Sequence, residues 1–224
     1  MNTDKPPLAF FEFLDVPLTM RTRVVLAGLV VVLILSFLFP LWRISMVAPQ
    51  YPDGLYLDIY SYKLEAGNEG RDLKEINILN HYIGMRPITR DELQDLDWLP
   101  FGIGVLIILC LRVAVLGNIR SLVDYSMLTG YVLTFAFIRF IYMLYDFGHS
   151  LDPKAPLNVE PFTPAILGAK KVANFTTYSS PLMGGVLLTV FVTTVWVLLI
   201  RQLWMGRRRA QAWFAGRRLA PVAP

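Results

Sequence analysis

The chain has 224 residues, of which 55% are hydrophobic and only 17% are charged, and its mean hydropathy is +0.49. This balance excludes an ordinary soluble domain and predicts a protein that sits in a lipid bilayer. The chain has one cysteine, which excludes an intrachain disulfide and a thiolate metal cluster.

The N-terminal part of the chain predicts a membrane anchor. Residues 1–23 contain a run of aromatic side chains, typical of a cytoplasmic segment that lies in the lipid headgroup layer. Residues 24–42 are uncharged and long enough for a helix to cross about 30 Å of hydrocarbon. A signal peptide fits less well because no small-residue cleavage site follows, so we expect a first transmembrane helix here.

Residues 43–98 predict a small mixed α/β module. The stretch GLYLDIYSYKLE is rich in tyrosine and aliphatic residues, which favours a strand after the Pro-Asp-Gly turn at 52–54. The spacing of Asp72 and Glu75 predicts a capping box before a helix. Gly84 can supply the left-handed residue that ends this helix.

Two further apolar runs follow the module. Thr89 and Glu92 have the spacing of a second capping box, which predicts a short helix that begins here and leads into the first of these runs. Residues 99–117 and 125–147 are apolar over the length of a transmembrane helix. The short stretch 118–124 is the predicted cytoplasmic turn between them.

The rest of the chain repeats the pattern of loop and span. Residues 148–178 predict a second long loop, and residues 179–200 are uncharged and predict a fourth transmembrane helix. Residues 201–224 form a tail with six arginines and no acidic residue. The predicted fold class is therefore an all-α membrane protein, with four transmembrane helices and a small mixed α/β periplasmic loop module.

The distribution of basic residues predicts the orientation of these spans. Lysine and arginine are retained on the cytoplasmic side during insertion, so the arginine-rich tail places both termini inside. In a bacterium, the protein is then a multi-pass inner-membrane protein whose two long loops face the periplasm. The tail interleaves arginine with aromatic residues, and beside a membrane this pattern predicts binding to anionic lipid rather than to nucleic acid.

Two arginines fall inside predicted spans. A guanidinium at membrane depth is costly unless it is paired or reaches water. Arg112 and Arg139 lie toward opposite ends of their spans, so both can extend to a headgroup layer. The plausible partner for Arg139 is Asp146, two helical turns along the same span.

The only two histidines of the chain fall on the predicted outer side. His81 ends the predicted helix of the first loop, Met85 follows it by four residues, and His149 begins the second loop. Imidazole with thioether suits a cuprous ion better than zinc, calcium or iron, so these three residues are candidate copper ligands. The alternative is structural: His81 caps its helix, Met85 fills a gap, and His149 forms a hydrogen bond at a turn.

Motifs of several enzyme classes are missing from the sequence. It has no Gly-rich phosphate loop ending in Lys-Ser or Lys-Thr, no Cys-x-x-Cys-His and no His-Glu-x-x-His. The serines near the second histidine lack the surroundings of a catalytic triad. The chain is therefore not expected to be an enzyme.

Several stretches resemble a known group of proteins. APQYPDGLYLDIY, INILNHYIGMRPI, YDFGHSLDPKAPL and NFTTYSSP resemble small polytopic bacterial inner-membrane proteins that are found with nitrous oxide reductase accessory factors and copper chaperones. The resemblance covers roughly residues 43–181. It implies a copper-handling setting and assigns no role to any residue.

Two functions follow as expectations. The first is an accessory protein that binds or passes copper at its periplasmic face and supports maturation of a periplasmic or membrane copper enzyme. The alternative is a non-catalytic structural or docking subunit of a larger respiratory or bioenergetic membrane complex. Its contact material would be the tyrosine-rich strand, because amphipathic rings are favoured at interfaces; these tyrosines are Tyr51, Tyr56, Tyr60 and Tyr62.

Overall fold

The structure is a computed structural model that describes residues 13–172 and 174–219, with side chains as far as Met205. Residues 1–12 of the predicted N-terminal segment 1–23, and the tail's arginine side chains after Met205, lie outside this description. In chain order, the elements are α1 (Met20–Ser36), β1 (Trp42–Ala48), β2 (Tyr51–Ile59), β3 (Leu64–Ala66), α2 (Arg71–Tyr82), α3 (Asp95–Leu116), α4 (Ile119–His149), β4 (Gly168–Val172), β5 (Phe175–Pro181) and α5 (Met183–Leu219).

Within the described part of the chain, three helices are long and apolar enough to cross a membrane, whereas four were predicted. These are α3, α4 and the segment Met183–Met205 of α5. The helix of the first predicted span, α1, has 17 residues. At 1.5 Å per residue it is about 25 Å long, near the lower limit for crossing the hydrocarbon core.

The ends of the predicted spans differ from the observed helices for identifiable reasons. Helix α1 ends at Ser36, short of the predicted end at 42, because Pro40 interrupts the chain and Trp42 begins β1. The predicted fourth span, 179–200, begins too early because its first three residues belong to β5. Hydropathy alone does not separate a buried strand from the start of an apolar helix.

Two other predictions between the spans are wrong. The cytoplasmic turn predicted at 118–124 is only two residues long, since α3 ends at Leu116 and α4 begins at Ile119. The short helix predicted near Thr89 does not form, and the chain there makes turns before α3 begins at Asp95.

The five strands form one antiparallel sheet in the order β3-β2-β1-β5-β4. Strand β1 pairs with β2 through Met46 and Leu55, and with β5 through Ile44 and Ser179. The two predicted loops therefore build a single module, which we call the sheet module (β1 to β5 with α2). One strand was predicted here, whereas the sheet has five strands. Strand β5 lies more than a hundred residues after β1, so no local pattern indicates that the two strands pair.

The core of the sheet module lies between the sheet and helix α2. Its buried residues are Met46, Ala48, Leu55, Leu57, Ile76, Ile83, Val172 and Phe175. Burying a side chain of the size of leucine or isoleucine contributes about 1.5–3 kcal/mol. Burial alternates at Leu55, Tyr56 and Leu57 of β2 and along most of β5, which shows which face of the sheet this core occupies.

Helix α2 starts differently from the prediction and ends as predicted. Its N-cap is Gly70, with φ of 86° and no side-chain cap, so the predicted capping box does not form. Asp72 instead accepts hydrogen bonds from the Tyr56 backbone N–H at 3.0 Å and from Asn68 Nδ2 at 2.7 Å. Gly84 has φ of 78° just after the helix, which confirms its predicted role as the left-handed residue.

The chain divides into two compact units. The sheet module belongs to the unit formed by 32–104 and 132–189, and the other unit combines 1–31, 105–131 and 190–224. In that other unit, the buried Tyr125 Oη donates to the Leu106 carbonyl at 3.0 Å, and Gln202 Nε2 donates to Thr22 Oγ1 at 2.8 Å. Such pairing is required of polar groups inside hydrocarbon.

Candidate functional site

The two histidine-bearing segments are hydrogen-bonded to each other through their backbones. The Asp152 N–H donates to the Gly84 carbonyl at 2.8 Å, and the Leu157 N–H donates to the Tyr82 carbonyl at 3.0 Å. A Cβ added at Gly84 would lie 2.8 Å from the carbonyl oxygen of Asp152. Glycine is therefore needed both for the positive φ and for the close approach of the two segments.

His81 lies at the C-terminal end of α2, on its exposed face. Its backbone carbonyl accepts the Gly84 N–H at 3.1 Å, which closes the end of the helix. The side chain borders an open depression of about 460 Å³, together with Lys74, Asn77, Ile78, Tyr82 and Pro156. The imidazole is therefore accessible from outside the sheet module.

His149 is the last residue of α4, and its ring is oriented by Tyr145. Its Nδ1 lies 2.9 Å from the Tyr145 carbonyl oxygen, and the two rings stack with their centroids 3.8 Å apart. A carbonyl oxygen only accepts, so Nδ1 carries the hydrogen and the lone pair of the neutral ring is on Nε2. Metal-binding histidines commonly have this arrangement, with one ring nitrogen fixed by a hydrogen bond and the other free to bind.

Met85 has a different environment from His81. It packs against the core of the sheet module and lines an apolar cavity of about 80 Å³, to which Met46 and Met143 also contribute. Met46 and Met143 lie near the outer ends of predicted spans and could add sulfur ligands, but other methionines lie near inner ends, so the sequence provided no reason to select them. The structure thus brings the two histidine-bearing segments together and turns the Met85 side chain inward.

The segment after Met85 is attached to α4 by Arg86. The guanidinium donates to the carboxylates of Asp146 and Glu92, and its centre lies 5.0 Å from the centroid of the Phe147 ring. Because His149 follows Asp146 by less than one helical turn, this ion pair also holds the end of α4 that carries the second imidazole.

The partner predicted for Arg139 is wrong. Arg139 donates to the Asp95 carboxylate at 3.1 and 3.3 Å, whereas Asp146 is paired with Arg86. Residues seven apart on a helix are too far along its axis to face each other closely, and the start of α3 offers a nearer carboxylate.

Two hydrogen bonds to carboxylates of the sheet module shift a pKa, one of a tyrosine and one of a glutamate. Tyr51 donates to the Glu75 carboxylate, and this hydrogen bond raises the pKa of the Tyr51 phenol. Lys63 donates to Glu65, and this hydrogen bond lowers the pKa of the Glu65 carboxyl.

In the part of the chain that the structure describes, no three or more His, Cys, Asp or Glu side chains are grouped so as to hold a metal ion. Comparison with family models, curated proteins and solved structures yields no significant match.

Proposed function

We propose that the protein is a non-catalytic accessory protein of the bacterial inner membrane that holds a cuprous ion and passes it to a copper enzyme or its chaperone. The observation that carries the proposal is the pair of backbone hydrogen bonds that joins the segment of His81 to the segment of His149. The fixed tautomer of His149 supports it, because Nε2 is left free to bind.

The proposed topology has four spans, with α1 as the first and both termini in the cytoplasm. The arginine excess after Ile200 supports this orientation. The sheet module then faces the periplasm, where copper enzymes of bacteria receive their metal. The basic tail is proposed to bind anionic lipid on the opposite side.

Met85 is the third proposed ligand and requires a side-chain movement. Its thioether lines the apolar cavity, so it joins an ion beside His81 by rotating outward. Methionine has three flexible torsions and a polarisable sulfur, which suit it to such a rearrangement. We therefore expect the imidazoles to dominate copper affinity and the thioether to add to it.

The surface around His81 supports handover to a partner protein. Ile78, Tyr82 and Leu157 are 49%, 51% and 45% exposed, and together they place apolar and aromatic surface beside the imidazole. Exposed patches of this kind are typical of protein interfaces. The same patch favours the second candidate function, a docking subunit of a membrane complex in which no metal is bound.

Copper titration of the purified full chain in detergent tests the first proposal. We expect about one cuprous ion per chain in competition with a colorimetric chelator, and no binding above background in the His81→Ala/His149→Ala double variant. Met85→Leu should weaken binding without abolishing it. Met183→Leu, which changes a 55% exposed methionine, is the matched control and should bind as the wild type does.

The two candidate functions give different results in the same preparation. If the double histidine variant binds copper as tightly as the wild type, the ligand assignment is wrong. If it also retains a stable membrane partner that co-purifies with the wild type, the docking function is supported instead. A partner that is lost when copper is removed supports the accessory protein.

A further inference from the structure

The cavity beside Met85 has the features of a binding site for a lipophilic molecule. It has a volume of about 80 Å³ and lies among residues of the sheet, of α2 and of α4. All but two of its lining residues are apolar, and those two are Asn80 and Thr177. For comparison, an engineered apolar cavity of about 150 Å³ binds benzene and stays free of water.

The second, independent feature is an unsatisfied amide. Asn80 is only 2% exposed, it lines the cavity, and its Nδ2 has no hydrogen-bond partner in the structure. Buried polar groups in native proteins are almost always hydrogen-bonded, so an unpaired donor that borders a cavity indicates an acceptor that a ligand supplies. The amide N–H is a donor, so the ligand must supply an acceptor oxygen. A carbonyl oxygen is the fitting group because it accepts without bringing a charge into the apolar cavity.

The walls of the cavity can adapt to a guest. Met46 of β1, Met85 of the loop after α2 and Met143 of α4 contribute three thioether side chains. Methionine adapts to irregular shapes, and protein surfaces that accept varied ligands are enriched in it. The cavity can therefore enlarge for a ring or a chain end that exceeds its present volume.

The wall of the cavity that α4 forms indicates the source of the ligand. Met143, Leu144 and Phe147 belong to α4, which is one of the helices that are long and apolar enough to cross a membrane. A wall formed by such a helix favours a ligand that is dissolved in the bilayer.

We propose that this cavity binds a membrane-dissolved molecule with an apolar body and a carbonyl group, whose oxygen accepts a hydrogen bond from Asn80 Nδ2. Two sources share this chemistry: the ring of a membrane quinone and the ester of an acyl lipid. This binding function does not depend on copper holding, although Met85 belongs to both proposed sites.

A trapped water is the simplest competing occupant. A buried water needs two to four polar partners, and the cavity offers Asn80 and Thr177, whose Oγ1 already donates to the Lys170 carbonyl at 3.0 Å. A water-filled cavity would show no response to a lipophilic probe.

Methionine-methyl NMR of the full chain tests the proposal. The protein is labelled with ¹³C-methyl methionine in a maltoside detergent, which has no carbonyl group, and is titrated with decylubiquinone or with monooleoylglycerol. We expect saturable shifts of the Met46, Met85 and Met143 signals, while Met20 and Met183, which are 73% and 55% exposed, move no more than with plain detergent. The probe that produces the shifts identifies the source.

A substitution at Asn80 separates specific binding from partition into the micelle. Asn80→Leu removes the donor at similar size and should weaken the binding of the active probe about tenfold, because one buried hydrogen bond is lost. Ile78→Ala, on the exposed side of the same helix, is the control and should leave the affinity unchanged.

Three results would overturn the proposal. They are the absence of saturable shifts with both probes, shifts of equal size at Met20 and Met183, and unchanged affinity in a folded Asn80→Leu protein. The wild-type titration decides the question by itself if the variant does not fold.

Discussion

The two faces of helix α2 have different roles, although their residues alternate along one short stretch. Asp72, Ile76 and Asn80 are buried, at 1%, 3% and 2% exposure, and they face the sheet or the cavity. Ile78 and His81 are exposed on the other side. Asn80 and His81 are neighbours in sequence, yet one borders an apolar cavity and the other an open depression.

This difference shows how one helix serves two proposed sites. The spacing of four residues between Asp72, Ile76 and Asn80 is the helical repeat, so these side chains form one buried stripe. These side chains pack the helix against the sheet. The opposite face of the helix stays exposed, and His81 lies on it. Removing an apolar side chain from the buried face should therefore affect stability, whereas a change at His81 on the exposed face should affect copper binding.

The largest expected effect is on the buried face. Ile76→Ala removes a side chain that is 3% exposed and should lower the free energy of unfolding by about 3 kcal/mol, through lost burial and the added cavity volume. Ile78→Ala, at a residue 49% exposed, should change it by less than about 0.5 kcal/mol. Denaturant unfolding in detergent, followed by circular dichroism, measures both. Equal losses would contradict the assignment of the two faces.

The next effect concerns the junction between the histidine-bearing segments. Gly84→Ala should cost about 2 kcal/mol, because it combines a positive φ with a collision against Asp152. Gly70→Ala has a similar φ, of 86°, but no atom within 4 Å of the added Cβ, so about 1 kcal/mol is expected from backbone strain alone.

Copper titration of the same two variants sharpens this comparison. Only Gly84→Ala should weaken copper binding, since only Gly84 lies where the His81 and His149 segments meet. Loss of binding in both variants would mean that general destabilisation, rather than the junction, controls the site.

The end of helix α2 was predictable from sequence, whereas its start and the assembly of the sheet were not. Gly84 was predicted to be left-handed because glycine after an apolar periodic stretch has few other roles. The pairing of β1 with β5 joins residues such as Ile44 and Ser179, and no local signal specifies a partner so distant in the chain. The serines and threonines of β5 were instead assigned partly to a loop and partly to a span.

The candidate ligands were predicted as residue types, and their surroundings were not. The scarcity of histidine drew attention to His81 and His149, and the structure joins their segments. The spacing of four residues would place Met85 on the face of His81 if the helix continued, and a break at Gly84 was the other possibility. The helix ends at Tyr82, however, and the chain then turns at Gly84, so Met85 points to the core. Met46 and Met143 come to the same cavity through tertiary packing alone.

The smallest expected effect is a pH dependence at the edge of the sheet. Hydrogen bonds from Lys63, and then from Tyr60, lower the pKa of the Glu65 carboxyl below its usual value of 4.5. The folded protein therefore binds this proton less tightly than the unfolded chain does. The stabilisation is complete above the usual pKa of glutamate and is lost as the pH falls through the lowered, folded value.

Hydrogen exchange at pH values from 6 down to 3 measures this effect. Amides of the edge strand β3 should exchange faster, relative to the intrinsic rate, as Glu65 becomes protonated, and Glu65→Gln should remove the dependence. The amides of Ile76 and Asn80 should stay protected over the same range, because the buried face of α2 is held by apolar packing rather than by this ion pair. If β3 and the buried face of α2 lose protection at the same pH, the sheet module unfolds as one unit. The buried face of α2 would then have no greater local stability than the edge of the sheet.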